Sequence, residues 1–135
     1  ALGNGKWFID QAVKYANERV VFNRPIGQNQ GIQFPIAKAF MELRAAESLM
    51  YEAATKFDNN EPAGAEANMA KYLCSEAAYD AAEACMQTHG GYAAANEYHI
   101  NRKWMQARMM KIAPISSNLI LSYVGQHVLK MPRSY

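Results

Sequence analysis

Apolar residues recur at helical spacing along almost the whole chain, while alternating, strand-like runs are scarce. In the first segment Ile9, Ala12, Val13, Ala16 and Val20 fall on one stripe. Stripes with intervals of three and four residues are typical of amphipathic helices that bury one face. The pattern predicts helices over about residues 2–22, 35–57, 65–89, 97–110 and 119–129. We therefore expect an all-α fold, an antiparallel up-and-down bundle of four main helices and a shorter one.

Proline, asparagine and glycine mark the breaks between these helices. Asn23 takes the left-handed conformation readily and Pro25 cannot continue a helix, so the first helix should end near residue 22. Pro35 is a favoured first-turn residue and should open the second helix. The polar residues 58–62 form the next turn, and Pro114 ends the fourth helix.

The second and third helical patterns differ in the size of their apolar residues. The second seam is predicted to contain Ile36, Phe40, Leu43, Met50, Ala54 and Phe57. The third is predicted to contain Ala70, Leu73, Cys74, Ala77, Ala81, Ala84, Cys85 and Thr88. So many alanines indicate a close approach between helices. Glu47 also falls in the second seam, where it extends its carboxylate to solvent, pairs with a basic group of another helix or serves as a catalytic carboxylate.

Two consecutive glycines, Gly90 and Gly91, end the longest helical pattern. One glycine with a positive φ is enough to stop a helix. The second exposes backbone N–H groups beside Gln87, where a flat or anionic ligand could approach. An ordinary helix stop remains the alternative. A second polar break, residues 19–30, strengthens the interpretation as a ligand site.

The net charge of the 135 residues is only +2, but it is unevenly distributed. The two ends are basic, whereas residues 39–97 are predominantly acidic and the last 38 residues carry no acidic side chain. Either the ends pack against the central helices and pair with them, or they face an anion such as a phosphate. Nucleic acid is a weaker candidate, because the basic residues near the C-terminus form no run interleaved with aromatic residues.

Several other kinds of chemistry lack the required motif. The three histidines have no partner at a metal-ligand interval, so each is expected to be a surface or capping residue, and no metal site is predicted. Cys74 and Cys85 lie about 16 Å apart along one helix and cannot bond. Two unpaired cysteines suit a reducing compartment, so a cytoplasmic location is expected. No apolar run is long enough to span a membrane.

Both breaks together resemble a known family. The segment Tyr15-Ala-Asn-Glu-Arg-Val-Val-Phe-Asn-Arg-Pro-Ile-Gly27, then Gln30, then Gln87-Thr-His-Gly-Gly-Tyr92, is similar to the C-terminal helical domain of acyl-CoA dehydrogenases. The resemblance covers essentially all 135 residues. It implies that residues 1–135 are one domain of a longer chain with a helical N-terminal domain and a middle β-domain. The start at Ala1, without a methionine and inside a helical pattern, is consistent with such a fragment.

The resemblance assigns a role in FAD binding to three groups of residues. Arg19 would meet the pyrophosphate with its fork of donors, Phe22 would pack beside the cofactor, and Gln30 would hydrogen-bond it. The second group, near the adenosine-pyrophosphate, contains Gln87, Gly90 and Gly91. The third group, the loop on the flavin side, contains Ser116, Ser117 and Asn118. In the family these contacts reach a flavin held mainly by a neighbouring subunit, which implies a homodimer or homotetramer.

The catalytic base is expected outside these residues. Many members of the family place a glutamate where this chain has Pro114. Other members place the base on the first helix of the domain, which here corresponds to a position upstream of Ala1. The whole enzyme would remove the α-proton of an acyl-CoA thioester, transfer a β-hydride to flavin N5 and pass electrons to an electron-transferring flavoprotein. The alternatives are a non-catalytic helical domain for oligomerisation or scaffolding and a basic phosphate or nucleic-acid binder.

Overall fold

The computed structural model describes residues 1–133, which form a helical bundle with one small hairpin. The helices are α1 Leu2–Glu18, α2 Gln30–Asp58, α3 Gly64–His89, α4 Ile100–Met110 and α5 Ser117–Tyr123. The hairpin strands are β1 Val20–Val21 and β2 Arg24–Pro25. Shorter 3-10 turns cover Ile26–Gln28, Gly90–Ala94 and Asn96–Tyr98, and a π-helical turn, Val124–Val128, follows α5. The expected all-α bundle is confirmed.

α3 lies at the centre of the bundle and packs against α1, α2, α4 and α5. Its buried face consists of small residues; it contains Ala70, Cys74, Ala77, Ala78, Ala81, Ala82, Ala84 and Cys85. Leu73, which was expected on this face, is 44% exposed. Small side chains let the neighbouring helices approach α3 closely, so the predicted tight packing is confirmed.

The first helix ends earlier than its apolar stripe predicts. α1 stops at Glu18, and Val20 and Val21 pair with Pro25 and Arg24 in an antiparallel hairpin. Both turn residues, 22 and 23, have positive φ, which is the geometry of a type I′ hairpin turn. Two adjacent β-branched valines favour the extended conformation, and the turn returns the chain toward α1. The predicted end at residue 22 is therefore wrong by one helical turn.

The second helix begins earlier than predicted, at Gln30 instead of Pro35. Asn29 takes an extended conformation, and its carbonyl oxygen accepts from the N–H groups of Ile32 and Gln33 at 2.9 and 3.0 Å. Ile32 also packs against the core. Pro35 is therefore inside the helix, past the first turn, where its missing N–H removes one i→i−4 hydrogen bond, to the carbonyl of Gly31.

The buried face of α2 agrees with the predicted seam only in part. Three members of the seam contact the core as predicted, namely Ile36, Leu43 and Met50. Phe40 is 51% exposed and Phe57 is 74% exposed, and Ala54 is exposed as well. Three alanines outside the predicted seam are buried instead, namely Ala39, Ala46 and Ala53. The buried stripe is therefore rotated toward these alanines, and the two aromatic side chains lie outside it.

Of the two glycines in the first turns of α1, Gly5 packs closely against other helices and Gly3 does not. A Cβ on Gly5 would lie 2.5 Å from Leu43 Cδ2 and 3.1 Å from Ala78 Cα, while a Cβ on Gly3 would have no neighbour within 4 Å. Gly5→Ala should lower the free energy of unfolding by about 1–2 kcal/mol, because overpacking outweighs the gain in helix propensity. Gly3→Ala, the matched control, should raise it by up to about 1 kcal/mol. Urea unfolding midpoints that shift in the same direction for both variants would contradict this packing role.

No helix within residues 1–133 combines the length and apolarity needed to cross a membrane.

Candidate functional site

The hairpin after α1 presents Arg19 and Phe22 on the surface. Arg19 is extended, and its N–H donates to the carbonyl of Tyr15 at 2.9 Å. The carbonyl of Arg19 in turn accepts from the N–H of Ile26 at 2.9 Å, which closes the hairpin. Phe22 has φ of 52° and is 94% exposed. A bulky residue at positive φ is strained, so the hairpin holds this ring in solvent at a cost in stability.

The glycine break after α3 is open on its outer side. α3 ends at His89, and Gly90 has φ 56° and ψ −134°, a conformation that suits glycine. Gly91 does not share the positive φ, so only Gly90 is needed for the helix stop. A Cβ on either glycine would meet nothing within 4 Å. The contacts of this domain therefore do not require a glycine at position 91.

The hairpin and the glycine break form one shallow groove of about 570 Å³, which we call the Arg19 groove. It is lined by Tyr15, Arg19, Val21, Ile26, Gln87, Thr88, His89, Gly90, Gly91, Tyr92 and Ala95. The guanidinium carbon of Arg19 lies 5.5 Å from the ring centre of Tyr92, and within residues 1–133 Arg19 forms no ion pair. The N–H of Gly90 donates to the carbonyl of Met86, so the group in this groove that suits a phosphate is the guanidinium of Arg19.

An aromatic cluster beneath the groove connects α1 to the glycine break. Tyr15 stacks on His89 with ring centres 4.2 Å apart, and Tyr98 lies edge-on to both rings. The Nδ1–H group of His89 donates to the carbonyl of Cys85 at 2.9 Å, and burial lowers the pKa of His89. His89 is only 4% exposed, so the expectation of a surface or capping histidine is wrong here. It holds for His99 and His127, which are exposed.

The remaining assigned residues lie elsewhere. Two of the predicted cofactor-binding residues do not line the Arg19 groove, namely Phe22 at the tip of the hairpin and Gln30, the exposed first residue of α2. Ser116 caps α5, since its side chain accepts from the N–H of Leu119 at 3.4 Å. Ser116, Ser117 and Asn118 line a second groove, of about 420 Å³, with Glu76. The structure therefore brings together the arginine and glycine motifs and leaves the serine loop apart from them.

A third groove, of about 680 Å³, lies at the end of the bundle where α1 begins, and we call it the Pro114 groove. It is lined by Ala1, Leu2, Gly3, Met50, Ala53, Ala54, Ala67, Ala70, Lys71, Cys74, Ser75, Met110, Ala113 and Pro114. The lining is mainly apolar, and Lys71 is its only charged side chain. The start of α1 and Pro114 therefore lie along the same cavity.

Glu47 is a structural ion-pair partner. It is 7% exposed, and its carboxylate accepts from Lys6 of α1 and from Arg44, the latter at 2.8 Å. The hydrogen bond from Lys6 is the main reason why the pKa of Glu47 lies below its ordinary range. The predicted pairing with a basic group of another helix is confirmed. A second pair joins Lys111 to Glu76 at 2.6 Å, so the basic ends do pair with the acidic middle of the chain.

The ion pairs of Glu47 should make the stability of the protein depend on pH in the acid range. Its folded pKa is lowered, so the stabilisation is present above its ordinary pKa of 4.5 and is lost as the pH falls through the folded pKa. In Glu47→Gln, the melting temperature should be reduced most at neutral pH, and the difference from wild type should shrink below about pH 4.5. Glu52→Gln, which removes an exposed pair on the same helix, is the control. The melting temperatures are measured by circular dichroism. A difference between Glu47→Gln and wild type that stays constant from neutral pH to below pH 4.5 would exclude this pairing.

Neither cysteine of α3 has the lowered pKa of a reactive thiol. Cys74 and Cys85 are buried and unbonded, and burial raises the pKa of Cys85 to about 12. Within residues 1–133, no three His, Cys, Asp or Glu side chains are grouped so that they could hold a metal ion.

Comparison with known proteins agrees with the paired motifs and the bundle. Residues 1–129 match the family described as acyl-CoA dehydrogenase, C-terminal domain. The chain belongs to the acyl-CoA dehydrogenase family.

Two curated relatives of this acyl-CoA dehydrogenase domain are much longer proteins. Acyl-CoA dehydrogenase FadE12 of Mycobacterium tuberculosis is 38% identical over 137 residues, which cover 100% of this chain and 35% of FadE12. The 3-(aryl)acrylate reductase of Clostridium sporogenes is 40% identical over 130 residues, which cover 96% of this chain and 34% of the reductase. The chain thus spans about a third of the length of these relatives.

Solved structures share the fold of this acyl-CoA dehydrogenase domain. Butyryl-CoA dehydrogenase from Megasphaera elsdenii superposes with a TM-score of 0.91 at 30% sequence identity, and the match covers 95% of this chain and 33% of that one.

Sequence reasoning missed the aromatic cluster of the acyl-CoA dehydrogenase domain. Tyr15 and Tyr92 stand at the ends of the two quoted motifs, and Tyr15 precedes Arg19 by one helical turn. That spacing could have placed a ring beside the guanidinium. His89 and Tyr98 could not have been found in this way, because their contacts depend on the 3-10 turns after α3.

Proposed function

We propose that this domain supplies FAD contacts and subunit contacts to a flavin-dependent acyl-CoA dehydrogenase. The observation that carries the proposal is the Arg19 groove, where two motifs that are far apart in the sequence meet at a guanidinium that forms no ion pair within residues 1–133. The substrates would be acyl-CoA thioesters, which would be oxidised between their α- and β-carbons. The longer protein would add a helical N-terminal domain and a middle β-domain.

The donor set of the Arg19 groove fits the pyrophosphate and adenosine part of FAD. Arg19 offers a planar fork of N–H donors to phosphate oxygens, and Gln87 offers both a donor and an acceptor. The space beside Gly90 and Gly91 is open, so the main chain of this segment can come close to a ligand. The exposed ring of Phe22 would pack beside the cofactor.

An oligomer would complete this site. The Arg19 groove is shallow, and neither the Phe22 ring nor the aromatic residues on the outer face of α2 are covered in this chain. Large apolar side chains in solvent favour association with a partner surface. In the family the flavin is held mainly by a neighbouring subunit, so we propose a homodimer or homotetramer. Gln30 and the loop of Ser116, Ser117 and Asn118 lie apart from the Arg19 groove. In the oligomer they would contact other parts of the bound FAD.

In this proposal the residues of this domain hold the cofactor and keep water away from it. The α-proton of the substrate is removed by a base that lies outside residues 1–135. When bound, FAD supplies a hydride acceptor at N5. A base must lie within hydrogen-bond reach of the α-proton. Pro114 has no ionisable group, and Glu47 is held by Lys6 and Arg44. Ala1 and Pro114 line one groove, so a carboxylate on the chain preceding Ala1 would lie near the position that other members use.

The electrons would pass to an electron-transferring flavoprotein, as the family resemblance implies. A cytoplasmic location suits two buried, unbonded cysteines, because reducing compartments keep thiols free.

A non-catalytic helical domain for oligomerisation is the second candidate. The observation that favours it is Pro114, which leaves the usual position of the catalytic glutamate without a carboxylate. Such a protein would retain the bundle and its subunit contacts without oxidising thioesters.

The test is flavin reduction by substrate in the full-length protein. Protein loaded with FAD would be mixed anaerobically with straight-chain, branched and aryl acyl-CoA thioesters, and loss of the oxidised-flavin absorbance would be followed. We expect at least one thioester to reduce the flavin. Dithionite is the control that shows the bound flavin to be reducible. Flavin that dithionite reduces but that no thioester reduces would overturn the dehydrogenase and favour the non-catalytic domain.

A further inference from the structure

Three donors converge on a single backbone carbonyl at the end of α4. The carbonyl oxygen of Lys111 accepts from Lys71 Nζ at 3.3 Å, from Ser117 Oγ at 3.1 Å and from the N–H of Ser117 at 3.3 Å. The last carbonyls of a helix lack partners within the helix, and a cation there is favourable. The loop of residues 112–116, which contains Pro114, is therefore closed at its base by one ammonium and one serine.

The side chain of Lys111 is fixed independently. Its ammonium pairs with Glu76 at 2.6 Å and lies 4.8 Å from the ring centre of Tyr79. Glu76 and Lys71 both belong to α3, so this central helix holds Lys111 by its side chain and by its carbonyl.

Lys71 is an unusual residue for the Pro114 groove. It is half-buried among apolar side chains, and within residues 1–133 no carboxylate lies within 4 Å of its ammonium. Burial lowers the pKa of Lys71. A half-buried ammonium without a carboxylate is unfavourable unless its hydrogen bond is needed. The carbonyl of Lys111 is the acceptor that it has.

We propose that Lys71 is a positioning residue that holds the carbonyl of Lys111 and so fixes the loop 112–116 along the Pro114 groove. The inference rests on the proposed dehydrogenase function for its catalytic consequence, but not for its structural one. The loop connects the end of α4 to Ser116, Ser117 and Asn118, which the proposed function assigns to the flavin side. A loop displaced by about 1 Å can lower a rate by about 100-fold although no reacting group is lost.

The test compares three variants of the full-length protein. Lys71→Met removes the ammonium and keeps a chain of similar length, whereas Lys71→Arg keeps a donor. Lys103→Met is the matched control, because Lys103 is also half-buried and donates a single hydrogen bond, to Asn4 at 3.3 Å, at another part of the bundle. Hydrogen exchange of the amides of residues 112–117 and steady-state kinetics with an acyl-CoA thioester are measured for each.

We expect Lys71→Met to accelerate exchange in residues 112–117 by about tenfold or more, and Lys103→Met to leave it unchanged. The kcat of Lys71→Met should fall by about 10- to 100-fold with little change in KM, and Lys71→Arg should recover most of it. Unchanged exchange in Lys71→Met would overturn the proposal whether or not the protein is a dehydrogenase. An equal acceleration in Lys103→Met would also overturn it, because the effect would then reflect general destabilisation. Faster exchange confined to Lys71→Met, in a protein that oxidises no thioester, would support the positioning role and count only against the proposed function.

Discussion

In one variant of the full-length protein, an acyl-CoA thioester should reduce the flavin about 10²–10⁴-fold more slowly than in wild type. The variants replace, one at a time, each Glu by Gln and each Asp by Asn in the segment immediately preceding Ala1. That range is the usual contribution of a general base. Residues 1–135 offer no suitable carboxylate at the position that other members of the family use. Pro114 cannot accept a proton, and no acidic residue follows Glu97 in the chain. Flavin content should remain that of the wild type, because the substituted residue acts on the substrate.

Glu47→Gln is the matched control for this prediction. Glu47 would have to leave Lys6 and Arg44 to reach a substrate, and both partners favour its ionised, paired form. The variant should therefore be less stable and yet reduce its flavin at a rate close to that of wild type. Rapid anaerobic mixing separates the chemical step from substrate binding. Loss of flavin reduction in Glu47→Gln with flavin still bound, or wild-type rates in every upstream variant, would show that the base has been misplaced.

Arg19→Ala in the full-length protein should weaken FAD binding by about 1.5–3 kcal/mol, which is the range for a hydrogen bond to a charged group. This corresponds to an increase in Kd of about 10- to 100-fold. Arg19 is exposed, extended and without an ion pair within residues 1–133, so its removal should barely change helicity. The measurement is the flavin retained after extensive dialysis, followed by titration of the apoprotein with FAD.

Two further variants define what Arg19 contributes. Arg19→Lys should recover only part of the affinity, because an ammonium keeps the charge but loses the planar fork. Lys14→Ala removes an exposed cation of α1 that does not line the Arg19 groove, so it should leave the affinity unchanged. A full complement of flavin in Arg19→Ala after dialysis, or equal losses in Arg19→Ala and Lys14→Ala, would remove Arg19 from the site.

In the proposed function the Arg19 groove is half of a site. Its lining residues are brought together by contacts within the chain. The Phe22 ring of the same hairpin is 94% exposed, and within residues 1–133 a Cβ on Gly91 would meet nothing within 4 Å. Strain at Phe22 is tolerated only because the hairpin is closed by backbone hydrogen bonds on both sides.

The fold class, the order of the helices and the location of the two polar breaks could be predicted from the sequence alone. These features depend on local physics: helical spacing of apolar residues, the positive φ that Gly90 adopts, and the inability of Pro114 to continue a helix. The pairing of Glu47 with a basic group could also be predicted, since a charge in an apolar seam is unfavourable without a partner. Its partner, Lys6, could not be named, because it is brought to Glu47 only by the packing of α1 on α2.

Which faces are buried and which residues meet depends on how the helices pack. The seam predicted for α2 contains Leu43, which is buried, as well as Phe40, which is 51% exposed, because periodicity does not fix the edges of a buried stripe. Packing against α3 shifts that stripe toward Ala46. The end of α1 was set by strand pairing across the Phe22 turn, which competes with helical propensity at Val20 and Val21. The aromatic contacts of His89 and the hydrogen bond of Lys71 join residues far apart in the chain or across irregular turns. Such contacts depend on how whole helices pack, and no window of sequence contains that information.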